Sequence, residues 1–386
     1  MEKQKGNTLQ RGILITGGLG FIGLHLIRRL LQWHEGPIVV LDNLLEQVHG
    51  PNAELPELVH DPRVKLMIRD LNDRDALRQG LDGVTTIVHL ASETGTGQSM
   101  YESERYMRVN VLATAMLCDL LTNENHQIDK IVLSSSRAVY GEGKYLDSAG
   151  QDVYPVARRI YPGSGFDPVH PKTGASGLRM VPTDEYSHTQ PVSVYGSSKL
   201  AQEHLLLQAA GQRNIDTAVF RIQNAYGPGQ SLNNPYTGII PLFTGLALMN
   251  RPIDVFEDGL ESRDFIHVSD VVQALERYLH SELQGQHVMN LGTGSGISIL
   301  DLVKMIVVCC ESSSDIRITG KMRKGDIRHN VADIRRIRQL LNFKPVVRLE
   351  DGMAAYIDHY KNQGMMCNLD AVRRAIRELD DRDLLI

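Results

Sequence analysis

A glycine-rich turn lodged between a buried strand and a helix constrains this 386-residue chain more than any other feature. The apolar run Gly12–Thr16 (GILIT) leads directly into Thr16-Gly-Gly-Leu-Gly-Phe-Ile-Gly23, and an amphipathic stretch, Gly20–Gln32, follows. Gly17 permits a tight turn, Gly20 lets backbone approach a pyrophosphate, and Gly23 allows close packing of helix on strand. The N–H groups around Phe21 and Ile22 have no partner inside their own helix, so they can hold phosphate oxygens. The same glycines would suit a strand–helix junction with no ligand. Their position, opening the first strand–turn–helix unit, favours the phosphate site.

Further short apolar runs follow at Ile38–Leu41, Val64–Ile68, Thr86–Leu90, Ile131–Ser134 and Asp216–Arg221. Helical patterns lie between most of them, notably Tyr106–Asn123 and a stretch starting near Val194. This alternation predicts an α/β fold, a Rossmann-type doubly wound parallel sheet with ligands at the carboxyl ends of its strands. Beyond Tyr226 the chain turns to Gly/Pro/Asn-rich turns and short elements, which predicts a smaller substrate-binding lobe. The expected division is a dinucleotide-binding domain over 1–225 and a lobe over most of 226–386, with 265–291 returning to the larger domain. Residues 142–181, rich in Gly, Pro, Ser and His, read as an insertion without periodicity. The charged, amphipathic tail from Asp370 reads as a surface or subunit-contact helix.

Chemistry-bearing residues gather at the predicted strand ends. Asp42 closes the second strand about twenty residues beyond the first glycines, where an acid can accept hydrogen bonds from both ribose hydroxyls. A carboxylate there repels a 2′-phosphate and favours NAD over NADP; Asn43 would support the same ribose. As an alternative, Asp42 caps a turn. Asp70 and Leu71 follow the third strand, placed for an adenine edge. Leu90 and Ala91 end the fourth, and Glu93, Thr94, Thr96 and Ser99 just beyond it line a sugar pocket or cover the cofactor. The fifth strand runs into Ser134-Ser-Ser-Arg-Ala-Val-Tyr-Gly141. Later, Tyr195-Gly-Ser-Ser-Lys199 places Tyr195 and Lys199 on one helix face. An ammonium beside a phenol draws its pKa down from about 10, so Tyr195 can act as general base and acid. Ser136 can hydrogen-bond the reacting hydroxyl. An exposed helix face with a solvated lysine is the competing reading.

Together with Arg221–Pro228 (RIQNAYGP), Ser262–Asp270 (SRDFIHVSD) and Arg323–His329 (RKGDIRH), these motifs resemble the NAD-dependent nucleotide-sugar epimerase/dehydratase family of extended short-chain dehydrogenases/reductases. Their order is the family's and spans nearly the whole chain. The resemblance implies NAD as cofactor and a nucleotide-diphospho-sugar as substrate. It implies that Asn110 is a structural asparagine at the cofactor site and that Asn224 contacts the sugar diphosphate. It further implies that Arg263 and Arg323 hold phosphate, with Asp326 on the nucleotide ribose and Arg137 facing the substrate. Read alone, Arg263 would more often be a surface salt bridge and Arg323 a solvated residue of a Lys/Arg-rich loop.

Family members that eliminate water carry an Asp-Glu pair directly after the strand-five Ser/Thr, and decarboxylases usually keep a Glu at the second of those positions. Here the two are Arg137 and Ala138. The expected activity is therefore epimerisation at C4 through a 4-keto sugar, with a 4-keto reductase or a non-catalytic NAD-binding scaffold as alternatives. The long insertion followed by Val181-Pro-Thr-Asp-Glu185 resembles a subgroup that includes dTDP-L-rhamnose 4-epimerases. Some inserts of that subgroup carry cysteine pairs suited to zinc; this one has none.

The 41 Lys/Arg and 46 Asp/Glu give a net charge of −5 without a basic run, so neither nucleic acid nor an anionic membrane is an expected partner. The four cysteines lack zinc-ligand spacing, which predicts no metal and a reducing, cytoplasmic setting. The leader Met1–Thr8 is polar, and no apolar run reaches membrane-spanning length. The resemblance implies a homodimer.

Overall fold

The computed structural model describes residues 11–50, 53–156, 165–231, 236, 238–363 and 369–385. The polar leader, Cys367 and positions 157–164 of the insertion lie outside them. Seven strands form one parallel sheet: β1 (Gly12–Thr16), β2 (Ile38–Asp42), β3 (Val64–Ile68), β4 (Val84–His89), β5 (Lys130–Ser136), β6 (Asp216–Ile222) and β7 (Gln286–Leu291). Their order is β7-β6-β5-β4-β1-β2-β3. Thr16 pairs with Leu41 on one side and with His89 on the other. The carboxyl ends of β1, β2 and β4 therefore stand level where the strand order reverses, the place at which such sheets bind ligands.

The principal helices are α1 (Phe21–Leu30), α2 (Ala113–Asn123), α3 (Val194–Gln212), α4 (Ile239–Leu248), α5 (Val268–His280), α6 (Ile299–Cys310), α7 (Leu349–Gln363) and α8 (Leu369–Asp380). Alternation along each strand divides the core in two. Ile13, Ile15, Ile38, Val40, Ala218 and Phe220 face α1 and α5, meeting Leu26, Ile27, Val271 and Leu275. Leu14, Val39, Leu41, Ile131 and Val219 face α2 and α3, meeting Leu117, Leu121, Leu206 and Ala210. Each fully buried Leu or Ile contributes about 1.5–3 kcal/mol, which fixes the register that aligns the strand ends.

A third core unites Tyr226, Phe243, Ile253, Val255, Leu302, Ile306, Tyr356 and Tyr360 from the later half of the chain. Residues Asn224–Tyr226 and Phe265–His267 pair in parallel beside it. The insertion folds more than its composition predicts. Tyr145–Leu146 pairs antiparallel with both Asp152–Val153 and Arg179–Met180. Among the described residues no helix is long and apolar enough to cross a membrane.

Candidate active site

A cleft of about 900 Å³ opens over the carboxyl ends of the sheet and continues between the sheet and the third core. All the site residues singled out from the sequence line it except Asn110 and Ser99.

The glycine turn fits the pyrophosphate of a dinucleotide. Gly17 has φ +66°, a conformation open to glycine, and a Cβ there would lie 2.7 Å from Ala91 backbone. A Cβ on Gly23 would lie 2.4 Å from the Gly18 carbonyl oxygen, so this glycine serves the close packing of turn and helix. A Cβ on Gly20 would meet only the Gly17 carbonyl, at 3.2 Å, which leaves Gly20 facing open space at the head of α1. Phe21 and Ile22 follow with no acidic residue in the first helical turn.

At the end of β2, Asp42 is buried, and its two oxygens accept hydrogen bonds from the backbone N–H groups of Leu19 and Leu44, both at 2.9 Å. The acid thus caps the turn and still faces the cleft; a carboxylate has lone pairs for both roles. Asn43 donates to Asp70 at 3.2 Å, tying the second and third strand ends together beside Leu71. Leu90 and Ala91 form the cleft floor past β4.

Beyond β4, Asn110 sits in a π-helical stretch, Met107–Leu112, fully buried. Its amide accepts from the Glu93 N–H at 2.8 Å and donates to the Glu93 carbonyl at 3.1 Å and to Ser198 at 2.9 Å. All of its reach goes into fixing the loop of Glu93 against α3, so it positions the site without lining it. Ser99 is buried likewise and accepts from the Tyr195 N–H at 3.0 Å. The Glu93 carboxylate pairs with Arg105 at 2.8 Å, and the Thr94 carbonyl accepts from Tyr106 at 2.6 Å. Thr96 begins a short helix after Gly95.

Tyr195, Lys199 and Ser136 share the middle of the cleft. Tyr106 packs edge-on against the Tyr195 ring, with centroids 6.4 Å apart. Burial raises the Tyr195 phenol pKa, opposed by a hydrogen bond with Ser136 and by the Arg137 charge. The draw expected from Lys199 is not among these causes. Lys199 itself, 2% exposed, is lowered to about 7 by burial, with Glu203 opposing. Burial thus disfavours the Lys199 ammonium, so this lysine can pass a proton as well as hold a charge beside the phenol.

The far half of the cleft is cationic. Arg137 reaches Asn224 at 3.4 Å. Burial and the neighbouring Arg263 lower its pKa to about 10, with Asp326 opposing, so it remains charged at neutral pH. The Asn224 amide is turned to the Asp264 carbonyl at 2.9 Å. Arg263 lines the cleft as well, with its guanidinium engaged by protein groups. Its guanidinium is held by Asp326 at 2.9 Å and by the carbonyls of Ser262, Arg328 and Ile327 at 2.9, 2.9 and 2.6 Å. Two of those four partners are carbonyls distant in sequence, Arg328 and Ile327, and motif spacing does not reveal them. Arg323 lies over the Phe256 ring at 5.4 Å, and its buried Nε has no partner among the described residues.

Several contributors escaped the sequence reading. His89, fully buried, stands 2.8 Å from Thr16 and 3.1 Å from Thr114, and Gln202 donates to Thr114 at 2.8 Å. Burial followed by the nearby Lys199 lowers the His89 pKa to about 3, so the ring joins β1, β4, α2 and α3 as a neutral hydrogen-bonding group. Glu261, at the cleft edge, is raised to about 7 by burial and by Glu257. The tail, read as a surface helix, instead sends Arg373, Leu379 and Leu385 into the cleft lining. Only Glu203, four residues past Lys199, had a local signal that could have exposed it.

A sequence profile of the NAD dependent epimerase/dehydratase family matches residues 13–292. The dTDP-L-rhamnose 4-epimerase of Burkholderia thailandensis is 38% identical over 344 residues, covering 88% of this chain and 92% of that protein. Among solved structures, UDP-N-acetylglucosamine 4-epimerase of Methanobrevibacter ruminantium, in complex with UDP-N-acetylmuramic acid, has a TM-score of 0.72 at 27% identity, covering 92% of this chain and 99% of that one. MoeE5 in complex with UDP-glucuronic acid and NAD has a TM-score of 0.72 at 28% identity, covering 91% and 99%. With its glycine turn, strand order and central Tyr195, Lys199 and Ser136 in place, the chain belongs to the NAD dependent epimerase/dehydratase family.

Proposed function

We propose that this protein inverts C4 of a nucleotide-diphospho-sugar through a transient 4-keto sugar. The carrying observation is the meeting of Tyr195, Ser136 and Lys199 in one cleft with the glycine turn, while Arg137 and Ala138 stand where water elimination would need two carboxyl groups. Bound NAD supplies a reversible hydride acceptor for the sugar carbon. Gly17, Gly20, Phe21, Ile22 and Gly23 would hold its pyrophosphate, Asp42 and Asn43 its adenosine ribose, and Asp70 and Leu71 its adenine, with Leu90 and Ala91 beneath.

Tyr195 takes the proton of the 4-hydroxyl while Ser136 hydrogen-bonds its oxygen, and the reverse transfer completes the inverted alcohol. Lys199, poised near neutrality, exchanges protons with the phenol. Arg137 and Arg323 receive the diphosphate. Arg137 is destabilised by Arg263, and an anion beside it relieves that repulsion. Arg263 and Asp326 shape the loop that carries Arg323. Glu93, Thr94, Thr96 and Asn224 surround the sugar. Binding the substrate by its nucleotide and diphosphate leaves the sugar ring free to turn.

The named substrate of the Burkholderia relative makes dTDP-linked deoxysugars the first choice and UDP-sugars the second. A homodimer fits the exposed Met107 and Leu112, 39% and 53% accessible, on the helical layer next to α3. Free Cys118, Cys309 and Cys310 suit a reducing cytoplasm. The test is a panel of dTDP- and UDP-sugars incubated with purified protein without added NAD. Inversion at C4 by NMR is expected. Consumption of external NAD(P)H with a net change in oxidation state would replace this reading with a reductase, and inertness toward the whole panel would sink it.

A further inference from the structure

We propose that α8 and the residues after it form a latch across the substrate half of the cleft, with Glu378 as its clasp and Arg373 as its contact to bound anion. The inference rests on the nucleotide-sugar reading above and adds a part that moves in each catalytic cycle.

Three observations carry it. First, the end of the chain supplies one side of the cleft through Arg373, Leu379 and Leu385. Leu379 and Leu385 are 6% and 9% exposed, whereas the Arg373 side chain is 63% exposed at the cleft mouth, where only an exposed pairing with Asp370 at 3.7 Å is recorded for it. Second, one carboxylate oxygen of Glu378 accepts hydrogen bonds from Tyr101 at 2.7 Å and Tyr236 at 2.8 Å. The two phenols are 3.1 Å apart. Tyr101 follows β4 on the sheet side, and Tyr236 precedes α4 on the lobe side, so a single acid on the tail joins both walls. Arg382 adds a cation over the Tyr101 ring at 4.5 Å. Third, the segment after α8 is stitched to the loop that bears Arg323. The Lys324 N–H donates to the Leu384 carbonyl at 2.9 Å, and Arg323 pairs antiparallel with Leu385.

The energetics suit a gate. Asp370, Arg373, Arg374, Arg377 and Asp380 of α8 face solvent, so one charged face of the helix lies open to water. The clasp is two hydrogen bonds to one carboxylate, few enough to break while the core stays intact. Such a segment opens locally without global unfolding. The chemistry gives the gate a purpose. A 4-keto sugar that turns within the site must be free of tight sugar contacts, and it escapes unless the exit is closed. A nucleoside diphosphate meeting Arg373 and Arg323 would draw the latch shut, because Arg323 sits on the stitched loop and Arg373 on the helix that leads into its partner segment.

Hydrogen exchange on the full-length protein, with and without dTDP or UDP, tests the closure. Amides of 369–385 should exchange well ahead of the sheet in the free protein and slow at least about tenfold with nucleotide. Protection of the 317–326 loop without protection of the tail overturns the latch alone. No protection anywhere in the cleft by either nucleotide removes the nucleotide-sugar reading and the latch together.

The second test uses Glu378→Ala and Glu378→Gln with a sugar that the wild type epimerises. Each ketone that escapes carries away two electrons fewer than the substrate and leaves one bound nicotinamide reduced. Loss is therefore read twice, as ketone in solution and as the near-ultraviolet absorbance of the protein. Glu378→Ala should release ketone at least about tenfold faster than wild type. Glu378→Gln, whose amide oxygen can still accept from both phenols, should recover most of the retention. Arg373→Ala should raise KM more than it lowers kcat. Wild-type retention and KM in all three variants would overturn the proposal.

Discussion

Glu203 and Arg221 form a 2.7 Å ion pair inside the core, one helical turn beyond Lys199, with side chains only 2% and 7% exposed. The carboxylate also accepts from Ser135, and Arg221 donates to Tyr140 at 2.9 Å, whose hydroxyl passes to Asn290 at 2.7 Å. The helix carrying Tyr195 is thereby fastened to β5, β6 and β7 at their carboxyl ends. Removing the acid strands a buried guanidinium. Glu203→Ala should cost about 3–5 kcal/mol in urea unfolding, and a loss under about 1 kcal/mol would mean that the pair does not organise the site.

Lys199 sets a pH dependence of stability. Its pKa is about 7 in the folded chain against an ordinary 10.5. Between those values the unfolded chain holds the proton and the native chain does not, so stability rises with pH across that window. Below pH 7 both states carry the charge, and the native state bears the whole cost of burying it. Lys199→Met should therefore be more stable than wild type at pH 6, with the gap closing toward pH 10. Thermal melts giving a pH-independent gap would contradict this.

Tyr195→Phe should lower kcat by about 10²–10⁴-fold, the range for losing a general acid–base, with an unchanged far-ultraviolet spectrum and retained NAD. Ser136→Ala should fall in the same direction by less. A Phe variant within a factor of about three of wild type would take the phenol out of the chemistry.

Two glycines of one turn should fail differently. Gly23→Ala places a methyl 2.4 Å from a backbone oxygen, which a packed turn cannot yield, so its expected defect is stability, about 2 kcal/mol or more. In Gly20→Ala the new methyl meets only the Gly17 oxygen at 3.2 Å. That protein should melt near wild type yet lose NAD on gel filtration. The opposite pattern would reverse their roles.

Asp42→Asn keeps much of the turn's hydrogen bonding but removes the charge. NAD affinity should fall by about tenfold while NADP gains, read by titration of cofactor-free protein. Unchanged discrimination would leave Asp42 as a turn cap and nothing more.

Local spacing was the part of the site that could be read from sequence. The glycine turn and the Tyr195/Lys199 pair are set by one turn and one helix, so their geometry is written within a few residues. The sheet was legible because both its faces are covered and its strands are continuous apolar runs. Strand ends were less so. β5 extends to Ser136, because Ser134, Ser135 and Ser136 keep the ladder to Phe220, Arg221 and Ile222 despite their polarity. Properties that depend on distant chain stayed hidden: the Lys199 pKa, set by burial, and the carbonyls that occupy Arg263. An amphipathic tail announces an apolar face but not its partner, and Tyr101 and Tyr236 lie far away in sequence.

The insertion has a consequence for how this protein can diversify. None of its described residues within 142–181 lines the cleft; its ties run instead to the back of the substrate loop. Glu142 receives the Arg328 N–H at 2.9 Å, Asp167 takes the Arg328 guanidinium at 2.7 Å, and the flanking Thr183 bonds the Val331 carbonyl at 2.9 Å. The described part of the excursion works as a buttress outside the reaction chamber. Those described residues can change composition without rewriting which sugar is accepted, provided that the two footings at Glu142 and Thr183 persist.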